Sequence, residues 1–170
     1  MNKHRGFSLA EMIVYVALVA MLLFIVINIL IVGLNMYRRF DAARNVQDAA
    51  IAVIERVVSE SRNASMISVE ASGVDSSGQN ALVMYNENDA RLAQFTIGTD
   101  GIIRLYNSSG NLVGPLTPKD VTAAGSYFLI ASSTSGTPLA RVILILRSGE
   151  GETERTENFY TSVVPRGSYK

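Results

Sequence analysis

The hydrophobic pattern divides the chain into three stretches. Residues 12–34 hold no charged side chain, and only Tyr15, Asn28 and the small Gly33 interrupt the apolar run. A run of this length can cross a bilayer as a helix, which needs about 20 apolar residues at about 1.5 Å each. Farther along, Met36, Phe40, Ala43, Val46, Ala50, Val53 and Val57 recur at spacings of three and four, while Arg39, Asp41, Arg44, Asp48, Glu55 and Glu60 lie mostly off that stripe. This is the pattern of an amphipathic helix. The two stretches join into one long helix from about Ser8 to residues 62–65.

The third stretch changes period. Residues 70–80 are small and polar and read as a surface loop. Short β-type runs follow at 81–85, 91–97 and 102–106, separated by 86–90 and 98–101, spacings that suit an antiparallel meander. Residues 112–116 add a short edge strand before Pro118. A second set, at 127–131, 139–146 and 157–164, is joined by 132–138 and 148–153. Residues 142–146 are apolar on both faces, which suits a central strand with the helix on one side and another layer or subunit on the other. Arg141 and Arg147 flank it as solvated strand ends. No internal repeat is visible.

The start of the long helix carries the candidate chemistry. A short basic leader with Lys3, His4 and Arg5 precedes Gly6, Phe7, Ser8, Leu9, Ala10 and Glu11. A secretory signal peptide has an apolar region of only about 7 to 15 residues before a small-residue cleavage site, so residues 12–34 fit that reading poorly. A plain membrane anchor explains the length. It also accommodates Glu11, because Ser8 to Glu11 fits the S-x-x-E capping box of a helix start.

Residues 1–34 resemble the class III signal of type IV pilins and type II secretion pseudopilins: basic leader, Gly6, Phe7, Glu11 and then an aliphatic helix. The resemblance implies that a prepilin peptidase cuts after Gly6 and methylates the new amino terminus on Phe7, and that the apolar helix is retained. It implies a pairing role for Glu11. A carboxylate in hydrocarbon costs about 2.5 to 3.5 kcal/mol on insertion scales and is usually paired, and the family's partner is the Phe7 amine of a neighbouring subunit. Capping and pairing are compatible within one helix.

The same resemblance implies an α+β, pilin-like fold in which a long amino-terminal helix packs its second half on a carboxy-terminal antiparallel β-sheet. Its first half projects, as membrane anchor before assembly and filament core afterwards. The expected division is a leader at 1–6, a transmembrane and filament-core helix at 7–35, an amphipathic half at 36–65 and a β-rich domain at 66–170. Implied partners are the prepilin peptidase, other pilins through their amino-terminal helices, an inner-membrane assembly platform, and lipid before assembly. Many major pilins carry a helix-disrupting proline in the apolar segment and many close a carboxy-terminal loop with a disulfide; this sequence has neither. Asn28 and Gly33 are its soft points, and Asn28 can hydrogen-bond another helix. Segments 116–121, 139–147 and 158–166 look like the closing strands of J-type minor pseudopilins and related minor pilins.

Composition narrows the alternatives. The 170 residues are 48% hydrophobic and 18% charged, enough for one helix and one modest domain. Formal net charge is zero. Losing Lys3 and Arg5 leaves 13 basic against 15 acidic side chains, a net of −2. No basic surface for nucleic acid is signalled. There is no cysteine, and the single histidine, His4, lies in the leader, so the processed chain offers neither Ser-His-Asp nor Cys-His catalysis nor the usual zinc ligands. No cofactor is expected. Glu87 and Asp89 offer oxygen ligands for calcium, but the D-x-[DN]-x-[DN]-G pattern is missing, and a polar turn is the expected role.

Orientation is not set by charge, because Lys3 and Arg5 face Arg38, Arg39 and Arg44 across the span; the amino-terminus-inside expectation comes from the resemblance. The expected work is assembly, as a minor pilin or pseudopilin of a type IV pilus, a competence machine or a secretion pseudopilus. The rival is a membrane-anchored extracytoplasmic binding domain that does not polymerise.

Overall fold

In the computed structural model, residues 8–68, 80–132 and 138–166 are described. The chain divides into two units, residues 1–38 and 39–170. One helix, α1, runs unbroken over Leu9–Asn63, within one or two residues of the span that periodicity predicts at each end.

In the second unit, α1 buries Ala42, Val46, Ala49, Ala50, Val53, Val57 and Ser61. Of these, Val46, Ala49, Ala50, Val53 and Val57 form a single core with Leu82, Met84, Phe95, Ile103, Val142, Leu144 and Leu146 from the strands. Two members of the expected stripe do not belong to it, since Met36 is 58% exposed and Phe40 71% exposed. At about 100° per residue, Phe40 lies about 120° round the helix from Val46. Ala42 and Ala49 are buried on that face instead.

The strands form two antiparallel sheets where a single sheet is expected from the sequence. The first is a five-stranded meander of β1 (Met66–Ser68), β2 (Asn80–Tyr85), β3 (Arg91–Ile97), β4 (Ile103–Asn107) and β5 (Leu112–Pro115), in that order. Three of its hairpins repeat one turn design. Asn86, Gly98 and Asn107 each donate a backbone N–H to the carbonyl four residues on, at 2.9, 3.1 and 2.9 Å. The fourth residue of each turn takes a left-handed conformation: Asp89 (φ 55°), Gly101 (φ 72°) and Gly110 (φ 78°). Such a turn followed by a left-handed residue is a common short hairpin connection. The Asn86 and Asn107 side-chain oxygens each accept two backbone N–H groups, from Asn88 and Ala90 and from Ser109 and Asn111. Asparagine at this place fixes its own turn.

The second sheet is built around β8 (Pro138–Ser148). Along one edge β9 (Arg155–Val163) pairs with residues 140–148. Along the other edge β7 (Tyr127–Ser132) pairs with 138–143 and β6 (Val121–Thr122) with 147–148. Ser126 fills the gap between them: Ile145 donates its backbone N–H to Ser126 Oγ at 2.7 Å, and Ser126 Oγ–H donates to the Ile145 carbonyl at 3.2 Å. The expected central strand is this one. Val142, Leu144 and Leu146 are wholly buried toward the core, and Ile143, on the other face, sits in register between Tyr127 and Tyr160.

Candidate assembly site at the amino terminus

Gly6 and Phe7, and Lys3 and Arg5 of the leader, lie outside the described residues. The described chain begins at Ser8, where the helix start is visible in detail. The Met12 N–H donates to the Ser8 carbonyl at 3.2 Å, closing the first turn. Glu11 donates its backbone N–H to Ser8 Oγ at 3.3 Å, and Ser8 donates its backbone N–H to Glu11 Oε2 at 3.1 Å. Both arms of the capping box are therefore made, and two of the helix's orphan donors are satisfied reciprocally. A carboxylate in the first turn also complements the positive end of the helix dipole.

This geometry leaves Glu11 with spare capacity. An ionised carboxylate has two oxygens and about four lone-pair sites, and the capping bond uses one of them on Oε2. The residue is solvent-exposed. The arrangement can cap its own helix and accept a further cation at the same time.

Behind Glu11 the helix is apolar and exposed. Among the described residues one helix is long and apolar enough to cross a membrane, and none of its most apolar window is buried. Leu9, Ile13, Val16, Leu23 and Phe24 are each 60% exposed or more. Such a surface is costly in water at about 25 cal/mol per Å² of apolar area. The helix passes through both soft points without a break. Asn28 Nδ2 donates to the Phe24 carbonyl oxygen at 2.8 Å, so part of its polarity is absorbed by its own backbone. At Gly33 a Cβ would meet nothing within 4 Å, so packing inside the chain does not require glycine there.

The carboxylates considered for calcium, Glu87 and Asp89, lie in the turn between β2 and β3. Asp89 supplies the left-handed turn residue, and the neighbouring Asn86 oxygen is occupied by backbone donors. Among the described residues no group of three or more metal-ligating side chains is assembled.

Two polar contacts were not visible in the sequence pattern. Asn45 Nδ2 donates to Asp120 Oδ2 at 3.0 Å, tying α1 to the segment before β6 across 75 positions, a separation that periodicity cannot read. Arg104 grips Asp100 through two parallel bonds, Nη1 to Oδ1 at 3.0 Å and Nη2 to Oδ2 at 2.5 Å. The guanidinium, with the Ile102 N–H second, lowers the Asp100 carboxyl from its ordinary value to about 2, and Asp100 raises Arg104 in return. Gly98 makes room for this clamp, since a Cβ there would lie 2.5 Å from Asp100 Oδ1 and 2.6 Å from Arg104 Nη1.

Residues 1–27 match the family model described as the prokaryotic N-terminal methylation motif. Neither the curated proteins nor the solved structures contain a match to the chain. Over this amino-terminal segment the chain is type IV pilin-like, and its long apolar helix and antiparallel sheets have the α+β architecture of such proteins.

Proposed function

We propose that the chain is a minor pilin or pseudopilin, a structural subunit of a type IV pilus or type II secretion pseudopilus. The observation that carries this reading is the methylation motif at residues 1–27 leading directly into a helix that continues, without interruption, into the core of the globular domain. A cleavable signal would be separated from the domain; this helix belongs to it.

In this reading a prepilin peptidase removes residues 1–6 by cutting after Gly6 and methylates the amine of Phe7. The apolar half of α1 anchors the subunit in the cytoplasmic membrane, with the globular domain outside, until it enters a filament through other subunits' helices and an inner-membrane assembly platform. Glu11, already capping its helix, accepts the Phe7 ammonium of a neighbour. Paired in the apolar bundle, a carboxylate and an ammonium offset part of each other's desolvation penalty. The missing proline and the aliphatic helix favour a minor over a major subunit.

Processing tests the reading. Co-expressed with a prepilin peptidase, the protein loses residues 1–6 and gains one methyl group on Phe7, measured by intact mass. Gly6→Val blocks the cut. An unprocessed amino terminus in the native host would overturn the filament assignment and leave the tethered binding domain as the better account.

A further inference from the structure

The apolar helix carries two carboxamides, Asn28 and Asn35, seven residues apart. At about 100° per residue they share one face. They continue the row Val14, Met21, Asn28, Asn35, with Ala17, Phe24 and Ile31 interleaved at spacings of three and four. The span is apolar all round, so the carboxamides are what single out this row, and a polar residue on a helix–helix seam fixes register and partner number.

Asn28 gives one N–H to the Phe24 carbonyl of its own helix, which holds the carboxamide in a defined orientation. A carboxamide has two N–H donors and an acceptor oxygen, and among the described residues nothing takes the second N–H or Oδ1. In hydrocarbon no water takes them either, so the group seeks a partner within the membrane. Lipid chains offer no donor or acceptor. A carboxamide is its own complement, and a second copy inserted in the same direction presents Asn28 at the same depth. Glu11 lies about 100° round the helix from Asn28, so this contact is separate from any ion pair at the helix start.

Resting on the reading of this helix as membrane-embedded, we propose that the face bearing Met21, Phe24, Asn28 and Asn35 docks the same face of a second copy of the chain, with the two Asn28 carboxamides bonded across the pair. The contact forms in the membrane before any filament does.

The chain has no cysteine, so single cysteines report on the contact directly. The full-length protein, in phosphatidylcholine vesicles at a low protein-to-lipid ratio, carries Met21→Cys or Ile31→Cys on the seam, or Val19→Cys or Val26→Cys opposite it. Mild oxidation yields disulfide-linked dimer from the seam cysteines and about tenfold less from the others. Adding Asn28→Leu to Met21→Cys, a change that only makes the span more apolar, lowers the yield about 3- to 30-fold, the range expected for one interhelical hydrogen bond in a membrane. Combining Asn28→Val with Val26→Asn moves the preferred crosslink to Val19→Cys. Equal yields from both faces, or a yield unmoved by Asn28→Leu, overturn the proposal. The vesicles contain no peptidase and no other filament protein, so that failure leaves processing after Gly6 intact. Conversely, face-specific dimers from a protein that no peptidase cuts would keep the seam and overturn the filament reading.

Discussion

Glu11 meets one demand within its own chain and has the capacity for a second. Its capping bond to the Ser8 amide is made within its own chain, and the remaining lone pairs are free for a cation. The two roles respond differently to Glu11→Gln. Glutamine keeps the shape and can serve at the same capping-box position, so the helix start and membrane residence should be unchanged, as should cleavage after Gly6. The charge is lost, however. If Glu11 neutralises a neighbour's Phe7 ammonium, that cation enters an apolar bundle alone, and deleting one partner of a buried pair costs about 3 to 5 kcal/mol. Incorporation into filaments, measured by shearing or by crosslinking to partner subunits, should then fall by about 100-fold or more. Incorporation equal to that of the unsubstituted protein would make capping the sufficient explanation. The capping role was legible in the sequence because its signal is local, the S-x-x-E spacing from Ser8 to Glu11.

At the scale of elements, strands of five or more residues were legible to within about two residues at each end, because alternation and turn residues mark them. β1 and β6, of three and two residues, are too short to show a period. Nor was the end-to-end placement of β6 and β7 along β8 visible, since it depends on Ser126 meeting Ile145 nineteen positions away. The β3–β4 hairpin yields a test at this scale. Arg104 and the Ile102 N–H favour the ionised form of Asp100, whose folded value of about 2 lies below its ordinary 3.8. A depressed carboxyl contributes stability above its unfolded value and loses that contribution as pH falls through the folded one. The clamp should therefore be intact above about pH 5 and lost between about pH 4 and 2. Asp100→Asn lowers the melting temperature slightly at pH 7 and not at all at a pH well below the folded value of about 2, slightly because the pair is partly exposed and screened by salt. Gly98→Ala, by intruding on both charged groups, should return the Asp100 titration toward 3.8, read by carboxyl NMR. An Asp100 midpoint unchanged in that variant would show that the glycine does not hold the clamp open.

For the molecule as a whole, the α+β architecture followed from a change of period in the sequence, from threes and fours to twos, near residue 65. The helix face was less legible. Apolar identity pointed to Met36 and Phe40, whereas the covered face runs through Ala42 and Ala49, because burial follows position round the helix axis and a small side chain signals it only weakly in the sequence. The face and the division at residue 39 can be tested together. A fragment of residues 39–170 omits the apolar span but keeps every buried position of α1, so it should be soluble and monomeric by sedimentation, with both helix and strand in its circular dichroism. Within that fragment Val53, wholly buried, and Phe40, mostly exposed, make opposite predictions. Val53→Ala removes two buried carbons and should cost about 2 kcal/mol. Phe40→Ala, although it deletes far more apolar volume, should change stability by less than about 0.5 kcal/mol. Chemical denaturation of the two variants decides the matter: a larger loss at Phe40 than at Val53 would mean that the sheets cover a different face of the helix, and an aggregated fragment would mean that the domain needs residues before 39 to close its core.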